Sequence, residues 1–286
     1  MKIIQSPQQI TPFGGLTFVY QFLENKRVGQ LINSYLFDLP NQSKYTWKDI
    51  IYSLWSIPFC GGDCIEDLSI NLKNYIQPIP YFNVPSSDSV LKRLKELAKP
   101  QQTLVSKYSG KCHNFSINMA LNKLNLKLIN KMEGINNKTV ILDYDNTILT
   151  NEKADSRMTY IKQKDYCPGV GIIRDKIVYV ENRNGNSDAQ TFQDKTVNRM
   201  FKLLKSEGIN IDVFRADSAS YQLQVIEAAK KYTNKFYIKA RINQTVANAI
   251  NNINNWIPTK INNEELLLRT TTFVPFHRSR ILRKKT

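Results

Sequence analysis

The feature that most limits the possible folds is a change in hydrophobic pattern near residue 138. Before it, apolar residues recur mainly at helical spacing; after it, short β-branched runs alternate with helical segments. The first run, "TVILDYD", predicts a strand, and "GVGIIRDKIVYVENR" predicts two strands around a turn at Arg174-Asp175. Helix, strand, helix and strand follow, the last in "NKFYIKAR". We therefore expect an α/β chain: a mixed sheet with flanking helices, preceded by a mostly helical N-terminal region.

The predicted order β-β-β-α-β-α-β is that of the ribonuclease H-like fold. In this order the first and fourth strands are neighbours, so residues at their ends meet at one edge of the sheet. The first strand ends with Asp143 and Asp145, and the fourth is followed by Asp217 in "FRADSAS". Nearby carboxylates repel each other unless a cation lies between them, and oxygen ligands suit Mg²⁺ or Mn²⁺. The pattern predicts a two-acid metal site suited to phosphodiester chemistry.

The N-terminal region is predicted to form short helices with clear start signals. Thr46 is a plausible N-cap for "WKDIIYSLWSIPF", a second helix is expected near Asp63, and Ser86 or Ser87 caps "DSVLKRLKELAKP". The outer face of that third helix carries Lys92, Arg93 and Lys95. Two interpretations stay open at this point: a helix-turn-helix DNA reader, or a helical bundle with a solvated basic face.

Charge favours a polyanionic partner. Lys and Arg number 40 against 24 Asp and Glu, a formal net charge of +16, and cations that neutralise phosphates release condensed counterions. The alternative is a soluble basic protein without such a partner. The longest apolar stretch is too short and interrupted to cross a bilayer, so we expect a cytoplasmic protein with no membrane partner. Its four cysteines are expected to be free thiols.

The motif "DYDNT" fits a second enzyme class on its own. In haloacid-dehalogenase-type phosphatases, Asp143 would be the nucleophile and Asp145 the general acid/base. The downstream sequence does not fit that class, because Tyr221 stands four residues after Asp217 where a second acid is expected. The strand "KIVYVENRNGN" also ends without an obvious phosphate-binding hydroxyl.

An ordered set of motifs carries a resemblance over nearly the whole chain. "TPFGGL", "CGGDCIEDL", "PSSDSVLKRLKEL", "LDYDNTI", "YCPGVGII", "VENRNGN", "IDVFRADSASYQ" and "KFYIKARIN" together resemble the DDE transposases of bacterial insertion sequences. The nearest group is insertion sequence thirteen-eighty, within the insertion-sequence-four class. The resemblance implies a Mg²⁺- or Mn²⁺-dependent enzyme that cuts transposon ends and joins the 3′-hydroxyls to target DNA. It also implies terminal inverted repeats and target DNA as partners, possible homodimers in a synaptic complex, and a place near the bacterial nucleoid.

The family's motifs assign roles to single residues. Its first catalytic Asp is followed two residues later by Thr or Ser, which selects Asp145, with Thr147, and leaves Asp143 as a supporting residue. Its second catalytic Asp corresponds to Asp217. Arg215 would orient Asp217 or contact a DNA phosphate. The family's Arg-x-Gly-Asn turn corresponds to "RNGN", residues 183–186, in which Asn186 is a supporting residue with a structural or functional role.

One departure concerns the family's third acid, a Glu in a Tyr-x-x-Arg-x-x-x-Glu pattern that this sequence lacks. Glu264 and Glu265 are expected on an insertion strand instead. The resemblance therefore predicts a C-terminally truncated transposase with a helical region (1–134), a partial catalytic core (135–258) and the start of an insertion with a basic tail (259–286). A third hypothesis follows, a non-catalytic DNA-binding remnant of such an enzyme.

Overall fold

A computed structural model describes residues 10–107, 110–136, 138–151, 153–159 and 161–271 of the chain. The predicted basic tail lies mostly outside this range. The N-terminal helices are α1 (Gly15–Asn25), α2 (Val28–Tyr35), α3 (Trp47–Phe59), α4 (Lys73–Ile76), α5 (Ser87–Leu97) and α6 (Met119–Glu133), with a π-helical turn over Leu68–Leu72. No helix in the described ranges is long and apolar enough to cross a membrane.

Two predicted helix starts are confirmed. The Thr46 hydroxyl accepts from the Asp49 N–H, and the Asp49 carboxylate accepts from the Thr46 N–H, which together form a capping box at the start of α3. Ser86 caps α5, because its hydroxyl accepts from the N–H of Ser89. The helix expected near Asp63 begins later, because the Asp67 carboxylate accepts from the N–H groups of Asp63 and Cys64 and stabilises a turn there.

The helical region has its own hydrophobic core. Tyr20, Tyr52 and Phe82 pack ring against ring with centroids 4.7–5.7 Å apart. The Tyr20 hydroxyl donates to the Tyr52 carbonyl at 2.8 Å, so the buried polar tip is satisfied. Leu124 of α6 joins this core, whereas Leu126 of the same helix joins the core of the sheet. Helix α6 therefore connects the two parts of the molecule.

Part of the region predicted to be helical is β-structure. Strands β1 (Gln102–Val105) and β2 (Cys112–Ser116) form a hairpin, and β2 pairs with β8 through Phe115 and Ser116. Beyond that pairing, α6 covers the edge of β8: the Asn122 side-chain amide both donates to the Val180 carbonyl and accepts from its N–H. The side chain thus replaces the missing neighbouring strand.

Residues 139–238 contain the predicted strand order. Strands β3 (Thr139–Asn146), β7 (Gly169–Ile173) and β8 (Lys176–Arg183) form an antiparallel meander, and β9 (Asn210–Ala216) and β10 (Lys235–Ile238) run parallel to β3. The described seven-stranded sheet has the order β1-β2-β8-β7-β3-β9-β10. The last five strands have the ribonuclease H-like order, so the predicted fold class is confirmed.

Helices α7 (Gln193–Ser206) and α8 (Leu223–Ala229) connect the parallel strands and pack on the sheet. Even-numbered residues of β3, namely Val140, Leu142 and Tyr144, are buried in this core with Met200 and Phe201 of α7. The odd-numbered residues of β3 face the other way, as strand geometry requires. That second face bears the acidic residues.

Two small sheets complete the described fold. Strands β4 (Leu149–Thr150), β5 (Arg157–Met158) and β6 (Lys164–Tyr166) form one, in the order β4-β6-β5. After helix α9 (Gln244–Asn251), strands β11 (Ile257–Ile261) and β12 (Glu264–Leu268) form an antiparallel hairpin. Its position agrees with the strand predicted around Glu264 and Glu265. All four cysteines are free thiols, as expected.

Candidate active site

The parallel pairing of β3 with β9 brings the predicted acidic residues together. Asp143 lies opposite Arg215, and Tyr144 lies opposite Ala216. The next residue of each strand is Asp145 on β3 and Asp217 after β9, so the two acids come out side by side at one edge of the sheet. Both are exposed. The juxtaposition that the strand order predicted is therefore present.

Each carboxylate is held by a neighbouring backbone N–H. The Asn146 N–H donates to Asp145 Oδ1 at 2.7 Å. The Ala219 N–H donates to Asp217 Oδ1 at 3.0 Å, so that Asp217 caps a short 3₁₀ turn over Ser218–Ser220. Each contact therefore holds one oxygen of its carboxylate in place.

The two acids interact electrostatically. Partial desolvation raises the pKa of Asp145, the Asn146 N–H opposes that shift, and the negative charge of Asp217 raises the pKa further. Like charges held close together are a common property of sites that bind cations, because a cation removes the repulsion. The donor set, two exposed carboxylates, fits a hard divalent cation such as Mg²⁺ or Mn²⁺.

A third acidic ligand is not found at this edge among the residues that the structure describes, and no group of three or more possible metal ligands occurs there. Glu264 and Glu265 lie on the exposed hairpin strand β12. Asp145 and Asp217 are therefore the two described acids that this edge brings together.

Arg215 has a different partner from the one predicted. Its Nε and Nη2 donate to the two oxygens of Asp143 at 2.6 and 2.7 Å, and this contact raises the pKa of Arg215. The guanidinium thus neutralises Asp143. These two residues lie opposite each other, two positions before Asp145 and Asp217 on their strands. The supporting role of Asp143 stays a prediction.

The "RNGN" turn is a packing element in the structure. Arg183 is fully buried and donates from Nη2 to the carbonyls of Asp188 and Thr191, each at 2.8 Å. A Cβ at Gly185 would collide with the carbonyl oxygens of Arg157 and Asp165. The turn therefore joins β8 to the small sheet and to the start of α7. Asn186 itself is exposed.

Thr147 follows the candidate site directly. Its N–H donates to the Pro168 carbonyl at 3.1 Å, and the residue is exposed. This bond continues the pairing of β3 with the segment before β7. It therefore fixes the backbone just beyond Asp145.

The basic residues predicted to bind DNA lie on α5, in the helical region. Lys92 and Lys95 are exposed, as the solvated-face and DNA-binding interpretations both require. Arg93 is different, because its Nη1 pairs with Glu96 at 2.7 Å and its Nη2 donates to Ser43 at 3.0 Å. Arg93 therefore contributes to packing between α5 and the segment before α3.

Sequence reasoning missed a buried charge network between β8 and α7. Glu181 of β8 is fully buried and accepts two hydrogen bonds of 2.8 Å from Arg199 of α7 and one of 2.7 Å from Thr196. Burial alone would raise the pKa of Glu181, but its hydrogen bonds and the Arg199 charge hold that pKa at about 2. Arg199 also lies 4.3 Å from the centre of the Phe115 ring of β2.

A buried histidine lies next to this pair. His113 of β2 lies 3.6 Å from Glu181, yet burial lowers the pKa of His113. The network therefore depends on the Glu181–Arg199 pair and joins β2, β8 and α7. In the sequence, the signal for this network is an acid, Glu181, that directly follows the apolar run "IVYV" of β8.

Sequence reasoning also missed two cations at the candidate site. Lys239 and Arg241 follow β10 at the edge that carries Asp217. The Arg241 Nε donates to the Ser218 carbonyl at 3.1 Å, one residue beyond Asp217. One signal in the sequence could have indicated Lys239. Lys235, Tyr237 and Lys239 alternate along the last predicted strand, and the predicted fold implies that this strand pairs in parallel with β9.

Comparison with known proteins gives no family assignment. No protein-family model and no curated protein sequence matches the chain. Among solved structures, the "Mos1 transposase paired-end complex with left transposon end" is 11% identical at a TM-score of 0.27, and covers 72% of this chain and 61% of that chain. The "Drosophila P element transposase strand transfer complex" is 11% identical at a TM-score of 0.33, over 88% and 53%.

A "Mos1 Strand Transfer Complex" is also 11% identical, at a TM-score of 0.24 and over 72% and 60%. The chain thus spans between 53% and 61% of the length of these proteins. Superpositions at such TM-scores carry no functional argument. The assignment of the fold stands on the strand order and on the directions of the paired strands.

Proposed function

We propose that the chain is a DNA transposase of the DDE type, in which Asp145 and Asp217 bind a divalent cation for cleavage and strand transfer at the ends of an insertion sequence. The observation that carries the proposal is the placement of these two acids at one edge of a ribonuclease H-like sheet. The motifs quoted above and the formal charge of +16 support DNA as the substrate.

The residues of the site would have separate roles in the reaction. Asp145 and Asp217 would hold Mg²⁺ or Mn²⁺, which supplies Lewis-acid activation and charge neutralisation in phosphodiester displacement. Their backbone contacts from Asn146 and Ala219 limit how far either carboxylate can turn. The Asp143–Arg215 pair fixes the strand positions behind them.

The proposal includes a second copy of the chain and a cytoplasmic, nucleoid-associated location. Joining two transposon ends requires two sites, which a homodimer on paired ends would provide. The test is co-migration of two labelled end duplexes in one complex with the purified chain.

The deciding experiment is divalent-ion-dependent nicking of an inverted-repeat duplex. The wild-type chain is compared with the Asp145→Asn/Asp217→Asn double variant and, as a matched control, with Asp212→Asn on the same strand as Arg215. Nicking that requires Mn²⁺ and disappears only in the double variant supports the transposase. Salt-sensitive binding without nicking supports a DNA-binding protein without cleavage activity. Absence of both binding and nicking contradicts the proposal.

A phosphatase of the haloacid-dehalogenase type is not supported by the site. In that class Asp143 would attack phosphorus, yet both oxygens of Asp143 accept hydrogen bonds from Arg215. A carboxylate held in this way by a guanidinium is a weakened nucleophile, because its negative charge is neutralised. Turnover of small phosphate esters with Mg²⁺ would reopen that alternative.

A further inference from the structure

Lys239 lies beside Asp217 at the end of the sheet. Strand β10 pairs in parallel with β9, with Ile238 opposite Ala216. The Lys239 N–H then donates to the Ala216 carbonyl at 3.2 Å, which extends this pairing by one residue. Lys235, Tyr237 and Lys239 are exposed in alternation, as expected for one face of a strand. Since Tyr237 lies opposite Arg215, Lys239 falls in the row of Asp217.

Arg241 lies over the turn that holds Asp217. Its Nε donates to the Ser218 carbonyl at 3.1 Å, and its guanidinium faces the side-chain amide of Gln190. A guanidinium has five N–H donors in a planar fork, so these contacts leave donors for a further ligand. The residue itself is exposed.

Three other cations, on the neighbouring strands and on α7, are neutralised by carboxylates. Arg215 pairs with Asp143, Lys235 pairs with Asp212, and Arg199 pairs with Glu181. Within the described part of the chain, no ion pair includes Lys239 or Arg241. Their positive charges are therefore left for a ligand beside Asp217.

We propose that Lys239 and Arg241 bind a DNA backbone phosphate next to the phosphate that Asp145 and Asp217 face, and so position the strand for the reaction. The inference rests on the proposed function. Two carboxylates repel a phosphodiester, and two adjacent cations offset that repulsion on the side of Asp217. The guanidinium suits bidentate contact with phosphate oxygens, while the ammonium acts as a point charge. Lys239 and Arg241 are therefore positioning residues. They differ from Arg215, the residue that the sequence predicted to contact a DNA phosphate.

The test measures binding of a fluorescent DNA duplex of arbitrary sequence as a function of KCl, with Ca²⁺ present. The Lys239→Gln/Arg241→Gln variant should lower the slope of log Kd against log salt by about 2, roughly one for each cation that no longer neutralises a phosphate. The matched control, Lys231→Gln/Lys235→Gln, removes the same charge at the opposite end of β10 and should leave most of the slope unchanged. The thermal unfolding midpoint of each variant checks that the fold is retained.

Single variants keep the test decisive if Arg241→Gln disturbs the Asp217 turn. Lys239→Gln alone should lower the slope by about 1, and Lys235→Gln should not. Arg241→Lys should keep the slope of the wild-type chain but lower the affinity for DNA. The substitution keeps the positive charge and removes the planar guanidinium, which can donate two hydrogen bonds to one phosphate. Wild-type binding with equal slopes in Lys239→Gln and Lys235→Gln would overturn this inference and leave the transposase proposal standing. Failure of the wild-type chain to bind DNA would overturn both.

Discussion

Arg215 donates from Nε and Nη2 to the two carboxylate oxygens of Asp143, at 2.6 and 2.7 Å. The two residues lie directly opposite each other on β9 and β3. One carboxylate of the "DYD" motif is therefore neutralised by an arginine of the adjacent strand, while Asp145 is left beside Asp217. The two aspartates of one motif, two residues apart, have different partners.

This difference predicts how metal binding responds to substitution. Mn²⁺ binding to the native state raises the unfolding midpoint by mass action. We expect Asp145→Asn to abolish the Mn²⁺-induced shift and Asp143→Asn to keep most of it. Thermal unfolding with and without Mn²⁺ measures both. Loss of the shift in Asp143→Asn alone would contradict the assignment of Asp143 as a supporting residue.

The partial desolvation of Asp145, together with its repulsion by Asp217, predicts a stability change with a definite sign. The pKa of Asp145 is raised in the folded state, so its ionised form costs stability once the pH exceeds that folded value. Asp145→Asn should therefore stabilise the metal-free protein near pH 7, by about 0.5 kcal/mol or less because solvent screens an exposed group. The gain should vanish well below the unfolded pKa of about 3.9, where the acid is protonated in both states.

Urea unfolding across this pH range provides the measurement. Asp175→Asn is the matched control, because contact with Lys176 lowers the pKa of Asp175 and the substitution should act in the opposite direction. A stability loss in Asp145→Asn at pH 7 would show that the ionised Asp145 carboxylate does not destabilise the metal-free fold.

The buried Glu181–Arg199 pair predicts a large effect away from the site. Glu181→Gln leaves the Arg199 charge uncompensated in the interior, which should destabilise the fold by about 3–5 kcal/mol. The contribution of Glu181 is present above its unfolded pKa of about 4.3 and is lost as the pH falls toward its folded pKa of about 2. Chemical denaturation at several pH values measures this loss.

Glu227→Gln is the control for that experiment, since Glu227 is an exposed acid on α8 and its replacement should change stability by about 0.5 kcal/mol or less. Equal effects of the two substitutions would mean that the Glu181–Arg199 pair contributes nothing specific.

Close packing at Gly185 predicts a contrast between two glycines. Gly185→Ala places a methyl group against the carbonyls of Arg157 and Asp165 and should destabilise the fold by about 1–3 kcal/mol. Gly15→Ala, at the start of α1 with nothing within 4 Å of the added Cβ, should stabilise by about 0.5–1 kcal/mol. Denaturation midpoints compare the two, and a neutral Gly185→Ala would contradict the packing role of the turn.

The sequence predicted those elements whose signals are local. The Thr46 cap needs only Asp49 three residues later, and the turn between β7 and β8 occurs at Arg174, whose φ of 59° is left-handed. The proximity of Asp145 and Asp217 followed from the strand order, which the hydrophobic pattern predicts. The cap and the turn depend on few residues, and the strand order depends on a repeated pattern.

The missed elements depend on partners far along the chain. Strand β2 carries the polar sequence "CHNFS" and is a strand because Phe115 and Ser116 pair with β8. Arg183 is fully buried, although arginines are mostly found at protein surfaces. Arg215 was expected near Asp217 because the two are close in sequence, whereas the parallel register places it opposite Asp143.

The parallel pairing of β3 with β9 also determines when the acidic pair can exist during synthesis. Asp145 leaves the ribosome well before Asp217, and the pairing needs the intervening strands and α7 to be in place. A chain stopped anywhere before β9 holds one acid without its neighbour. A nascent chain therefore cannot carry out any chemistry that needs both acids. Newly made protein gains that chemistry only after β9 has paired with β3.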